Sequence, residues 1–126
     1  MRDKAVSQVY VFKTMSNTTE AGMPFLIIAE DHEGKEIERE AVREAHRAHL
    51  ASAGKKLLAS GAILGGDGKT ITGGASLLDT EDEEEARRFE RDDPYAQAGI
   101  RAKVTILPWR LHWWCGQFSA EGFQSY

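Results

Sequence analysis

Between Gly34 and Gly54 the chain carries neither glycine nor proline and is filled with Ala, Glu, Arg and Leu. Those side chains lose little freedom in a helix, so the stretch predicts one helix over 36–53. Glu36, Glu38 and Glu40 fall in its first turns, where the helix dipole favours acids. At about 100° per residue, Val42, His46, Leu50 and Ala53 form one stripe, with His49 at its edge. Gly54 supplies a left-handed stop, and Lys55 and Lys56 follow it.

What flanks this helix narrows the fold class. Pro24-Phe25-Leu26-Ile27-Ile28-Ala29-Glu30 is a short apolar run that predicts a central strand, broken at 31–35. Residues 57–64 predict a strand rather than more helix, because Gly54 precedes them and a hairpin signal follows. That signal is Gly66-Asp67-Gly68-Lys69, a tight turn expected to need positive φ at both central residues. Its partner strand is 70–78. Gly61, Gly73 and Gly74 mark bulges or close backbone approaches.

Thr80-Glu81-Asp82-Glu83 matches a capping box, with Thr80 as N-cap and Glu83 reaching back. The helix it opens runs to about Arg91 and turns Ala86 and Phe89 inward. The acidic run through Glu85 then reads as a solvated helix start rather than a metal site. Asp93-Pro94 opens a short turn, Asp as N-cap and Pro first inside, and Gly99 ends it. Residues 102–107 alternate as a strand, which Pro108 limits to an edge or a bulge from there on. The order is β-α-β-β-α-β, a ferredoxin-like α+β arrangement with an antiparallel sheet. Two helices on one sheet face leave the other open. A homodimer closing two sheets face to face is expected.

This domain spans 24–114, between an N-terminal arm at 1–23 and a tail at 115–126 expected to be loosely ordered unless docked. Composition excludes several roles. The net charge is -4 with no basic patch, so nucleic acid is not an expected partner. No apolar run reaches the ~20 residues of a membrane helix. Met1-Arg2-Asp3-Lys4 does not open a secretory signal. Cys115 is the single cysteine, which fits a reducing, cytoplasmic setting and reads as a bystander thiol. Trp109, Trp113 and Trp114 read as core or dimer contacts rather than a stacking platform. Gly65 to Lys69 lacks phosphate-loop spacing.

Taken one at a time, the polar candidates have bland readings. His46 on an apolar stripe is ordinarily a core histidine with one hydrogen bond. Asp93 is a cap. Arg43 either holds an anionic ligand oxygen or pairs with Glu40 one turn back. His46, His49 and Asp93 are ligand types that zinc accepts, but i,i+3 spacing is a weak signal and no metal is expected.

Read together, several motifs carry a resemblance. They are Arg43-Glu44-Ala45-His46-Arg47-Ala48-His49-Leu50, Leu57-Leu58-Ala59-Ser60-Gly61, Asp67-Gly68-Lys69 and Gly74. Asp92-Asp93-Pro94-Tyr95, Ala98-Gly99, and Val104, Ile106, Pro108 and Trp109 complete the set. In this order, over about 24–114, they resemble the YCII-like family. The resemblance implies a dimeric α+β barrel related to muconolactone isomerase. It implies a site pairing His46 with Asp93, with Arg43 and Tyr95 at neighbouring family positions. Arg43, His49 and Tyr95 are the expected substrate contacts. Most members have no assigned reaction, and one type is a dehydrochlorinase acting on a chlorinated hydroxyquinol. The expected activity is therefore acid–base chemistry without a cofactor on a small ring-bearing substrate, by elimination or isomerisation. The alternative is a non-catalytic ligand-binding or dimerisation module of the same fold. Cofactor-free oxygenation rests on fold analogy alone. What separates the first two is whether His46 and Asp93 meet within hydrogen-bond reach beside an open cleft.

Overall fold

The structure, a computed structural model, describes residues 23–123. The arm expected at 1–23 falls almost wholly outside them. Pro24–Trp109 form one compact unit, and Met23 with 110–123 belong to another. In the first unit the elements follow the expected order. They are β1 (Phe25–Asp31), α1 (Glu36–Ser52), β2 (Leu57–Leu64), β3 (Ile71–Leu78), α2 (Glu83–Arg91), α3 (Pro94–Gln97) and β4 (Arg101–Pro108). The four strands make one antiparallel sheet in the order β2-β3-β1-β4. This is the ferredoxin-like α+β fold. No helix among the described residues is long and apolar enough to cross a membrane.

The apolar run of β1 sits between β3 and β4, where both of its edges are paired. Alternation sends Phe25, Ile27 and Ala29 to the helix side, where all three are buried. Phe25 and Ile27 join Leu78 and Ala86 in a core flanked by Ala53, Leu57, Phe89 and Ile106. Burying each large member contributes about 1.5–3 kcal/mol. The stripe on α1 is only half-buried, and no residue of that helix is fully enclosed. Its centre faces an open cleft instead of packed core.

Three local expectations need correction. The N-cap of α2 is Asp82, whose carboxylate accepts from the Glu84 amide at 3.0 Å. Thr80 stands two residues earlier, where its hydroxyl accepts from the Asp82 amide and donates to Glu85. At the β2–β3 hairpin only Gly68 is left-handed, at φ 70°. Asp67 instead folds its carboxylate over the Lys69 and Thr70 amides and the Thr70 hydroxyl. The Thr70 hydroxyl first, then those amides, hold its pKa at about 2.

The tail is the third. In the second unit, β5 (Trp113–Trp114) pairs with β6 (Gln117–Phe118) through a turn at Cys115 and Gly116. Both turn residues have positive φ, 52° and 79°, as a twisted two-residue hairpin requires. Trp113 tilts against Phe118 at 5.1 Å and remains well exposed, so it is not core. Cys115 is a free, exposed thiol.

One irregularity positions the site. Glu30 pairs with Lys103, yet Asp31 pairs with Arg101, so Ala102 is an extra residue in β4. Such a bulge reverses the alternation beyond it. Without it Arg101 would follow Lys103 and Thr105 to the far face. With it Arg101 turns to the helix side beside Asp31.

Candidate active site

α1, α3 and the sheet enclose a cleft of about 330 Å³. His46 reaches into it from the middle of α1, and Asp93 sits at the start of α3. The two meet: Nδ1 of His46 lies 2.9 Å from Oδ1 and 3.1 Å from Oδ2 of Asp93. The cap role and the pairing role coexist, because Oδ1 also accepts from the Tyr95 amide at 2.9 Å. An ionised carboxylate only accepts, so Nδ1–H donates and Nε2 is left to exchange protons. Tyr95 lies flat under the imidazole, with centroids 3.8 Å apart and planes 14° from parallel. Ring stacking and the hydrogen bond together fix the histidine in one orientation.

Behind this pair lies a cluster of buried charge that the sequence did not reveal. Arg101 reaches Asp31 at 3.1 Å, Glu90 at 3.1 Å and Asp93 Oδ2 at 3.6 Å. Arg39 pairs with Asp31 and lies over the Tyr95 ring at 4.3 Å. Glu90 and Asp93 are 7% and 2% exposed, depths at which an unpaired carboxylate would be costly. Three carboxylates face two guanidinium groups, leaving one negative charge over.

The electrostatics separate the two acids. Burial pushes the Asp93 carboxyl up, but the His46 and Tyr95 hydrogen bonds and the His46 and Arg101 charges outweigh it. Its pKa ends below the usual carboxylate value. Burial pushes Glu90 up; Arg101 opposes this and the Asp93 charge adds to it, and the net shift is upward.

The remaining candidates divide. Arg43 lines the cleft and pairs with Glu40 at 2.6 Å, the surface ion pair expected one turn back on the same helix. Arg47 lines the same wall and was not foreseen. His49 points elsewhere: it stacks on Phe89 and its Nε2 meets the Phe89 carbonyl at 2.8 Å. Among the described residues no group of three or more His, Cys, Asp and Glu side chains is arranged for a metal ion.

The sheet supplies a floor of small groups, Ser60, Gly61, Ala62, Gly73, Gly74 and Ser76. Ser60 and Ser76 share a hydrogen bond at 2.8 Å, so either hydroxyl can turn to a ligand oxygen. Gly73 is required by contact, since a Cβ there would stand 2.1 Å from the Ala29 carbonyl oxygen.

A YCII-related domain model matches residues 23–110. No curated protein matches the chain. Among solved structures, one similar protein is the 5-chloro-2-hydroxyhydroquinone dehydrochlorinase TftG of Burkholderia phenoliruptrix AC1100, in complex with 2,5-dihydroxybenzoquinone. It shares 30% identity at a TM-score of 0.65, over 70% of this chain and 94% of that one.

Proposed function

The chain belongs to the YCII-related domain family, and on that footing we propose that it is a small-molecule enzyme working by proton transfer. The observation that carries this reading is His46 Nδ1 at 2.9 Å from a buried Asp93, in the wall of an open cleft. The dehydrochlorinase neighbour, with its bound dihydroxybenzoquinone, supports a ring-bearing ligand.

In this reading Nε2 of His46 takes a proton from an acidic hydroxyl or activated carbon of the ligand. The electron pair left behind moves into the ring. In an elimination it expels a leaving group, such as halide, with its bonding pair. In an isomerisation another carbon takes the proton back from Nε2–H. Asp93 keeps the proton on Nδ1 in the resting ring and stabilises the imidazolium that forms. Arg43 and Arg47 hold a ligand oxygenate at the mouth; their surface ion pairs are worth little and exchange readily for a ligand. His49 packs on Phe89, which lines the cleft. The chemistry calls on side chains alone.

We place a second copy of the chain on the sheet face away from the helices, where Leu26, Ile28 and Leu107 alternate outward. Light scattering on the full chain should give twice the chain mass.

The test is a panel of hydroxylated and halogenated quinols and quinones, read by halide release and by deuterium exchange in NMR. Wild type should act on at least one, and His46→Gln should slow it by about 10²–10⁴-fold. Binding of these rings with neither exchange nor elimination would make the chain a ligand-binding module.

A further inference from the structure

We propose that Arg101 is a positioning residue for the His46–Asp93 pair, acting through the second oxygen of Asp93. The proposal rests on the reading of that pair given above and names the group that sets its charge. Asp93 has two oxygens with different duties. Oδ1 accepts from His46 and from the Tyr95 amide, at 2.9 Å each. Oδ2 lies 3.1 Å from His46 Nδ1 and 3.6 Å from the Arg101 guanidinium. The cap fixes one oxygen by the backbone. Among the described residues, Arg101 is the cation that pairs with the other beside the histidine.

Arg101 is itself built into place. The extra residue in β4 turns it to the helix side, and its other nitrogens are held by Asp31 and Glu90 at 3.1 Å each. A guanidinium held at two points by carboxylates keeps its fork fixed, which a lysine cannot reproduce. Its side chain is 10% exposed, so its charge is screened little by water.

Every element packed on Asp93 contributes a charge or dipole to it. α1 gives the His46 imidazole, α2 gives Glu90, α3 gives the Tyr95 amide and ring, and β4 gives Arg101. β1 gives Asp31, which Arg39 and Arg101 share. Arg101 and Glu90 therefore act on Asp93 with opposite sign. Removing the arginine charge raises the proton affinity of Asp93, and removing the glutamate charge lowers it.

The experiment follows side-chain carboxyl ¹³C signals of the full chain against pH, in wild type, Arg101→Gln, Arg101→Lys, Glu90→Gln and the double Arg101→Gln/Glu90→Gln. It needs no substrate. The Asp93 midpoint should rise by about 1 pH unit in Arg101→Gln and fall in Glu90→Gln. It should return towards wild type in the double variant and in Arg101→Lys. The ¹⁵N signals of His46 should show a mixed tautomer in Arg101→Gln and in Arg101→Lys, because the fork is missing in both. An Asp93 midpoint and a His46 tautomer unchanged from wild type in Arg101→Gln would overturn the proposal. Should that variant not fold, Glu90→Gln alone decides, and an unmoved Asp93 midpoint there is equally fatal. A His46 ring that ignores Asp93→Asn defeats the pair itself. A ring that responds to Asp93→Asn but ignores Arg101→Gln defeats only the positioning role.

Discussion

The imidazole of His46 lies on the phenol ring of Tyr95, 3.8 Å between centroids and 14° from parallel, while Asp93 holds its edge. Tyr95 is thus both the first turn of α3 and the bed of the histidine. Tyr95→Phe should keep the fold and the upfield ring-current shift of the His46 protons. Tyr95→Ala should lose that shift and cost about 3–5 kcal/mol in denaturant unfolding, the range for deleting a buried aromatic ring. An unchanged His46 spectrum in Tyr95→Ala would show that the stack is incidental.

The floor glycines should respond unequally. A Cβ at Gly73 meets the Ala29 carbonyl oxygen at 2.1 Å, whereas at Gly61 it meets nothing within 4 Å. Gly73→Ala should destabilise the chain by roughly 1–3 kcal/mol or more, as overpacking against backbone does. Gly61→Ala should be nearly neutral. Thermal unfolding of the two variants checks the contrast.

Helix α2 should depend on Asp82 for its start. Asp82→Ala should cost about 1 kcal/mol, measured by denaturant unfolding, and Asp82→Asn almost nothing. This prediction also marks where the sequence misled. Thr80 with Glu83 has the spacing of a capping box, yet Asp82 is the residue before the first helical turn. Several polar residues in a row each match part of a cap pattern, and the local pattern does not rank them.

The legible parts of the fold were those with an uninterrupted period. α1 and the four strands of the sheet follow from the glycine-free stretch, the apolar runs and the Asp67-Gly68 turn. Asp93 was legible as a cap, but its partnership with His46, 47 residues away, came only through the family resemblance. Arg101 was not legible at all. The bulge at Ala102 reverses its direction, and no local pattern records an extra residue in one strand. Glu90 and Arg39 look like ordinary helix-surface charges, and their burial depends on partners from β4 and β1. The tail hairpin was missed because Cys115, unlike Asn or Asp, gives no warning of a left-handed turn.

Glu90 and Asp93 should affect stability with opposite pH dependence. Asp93 has its pKa lowered on folding, so its contribution is present above the ordinary carboxylate range and is lost as pH falls through its folded value. Glu90 has its pKa raised, so the folded chain binds the extra proton and stability is lost as pH rises through the Glu90 folded value. The Tm of Glu90→Gln relative to wild type should therefore increase from pH 4 to pH 8. A difference independent of pH would contradict the buried, charge-strained carboxyl.

The most direct measurement is the ¹⁵N spectrum of the His46 ring in wild type and in Asp93→Asn, assigned by its absence in His46→Gln. Asparagine keeps the cap and the shape but removes the charge. In wild type the neutral ring should carry its proton on Nδ1, leaving Nε2 unprotonated towards the cleft. In Asp93→Asn the tautomers should mix or invert, because the amide can donate as well as accept. The same tautomer ratio in both proteins would mean that Asp93 does not orient His46, and the acid–base reading of the cleft would fail with it.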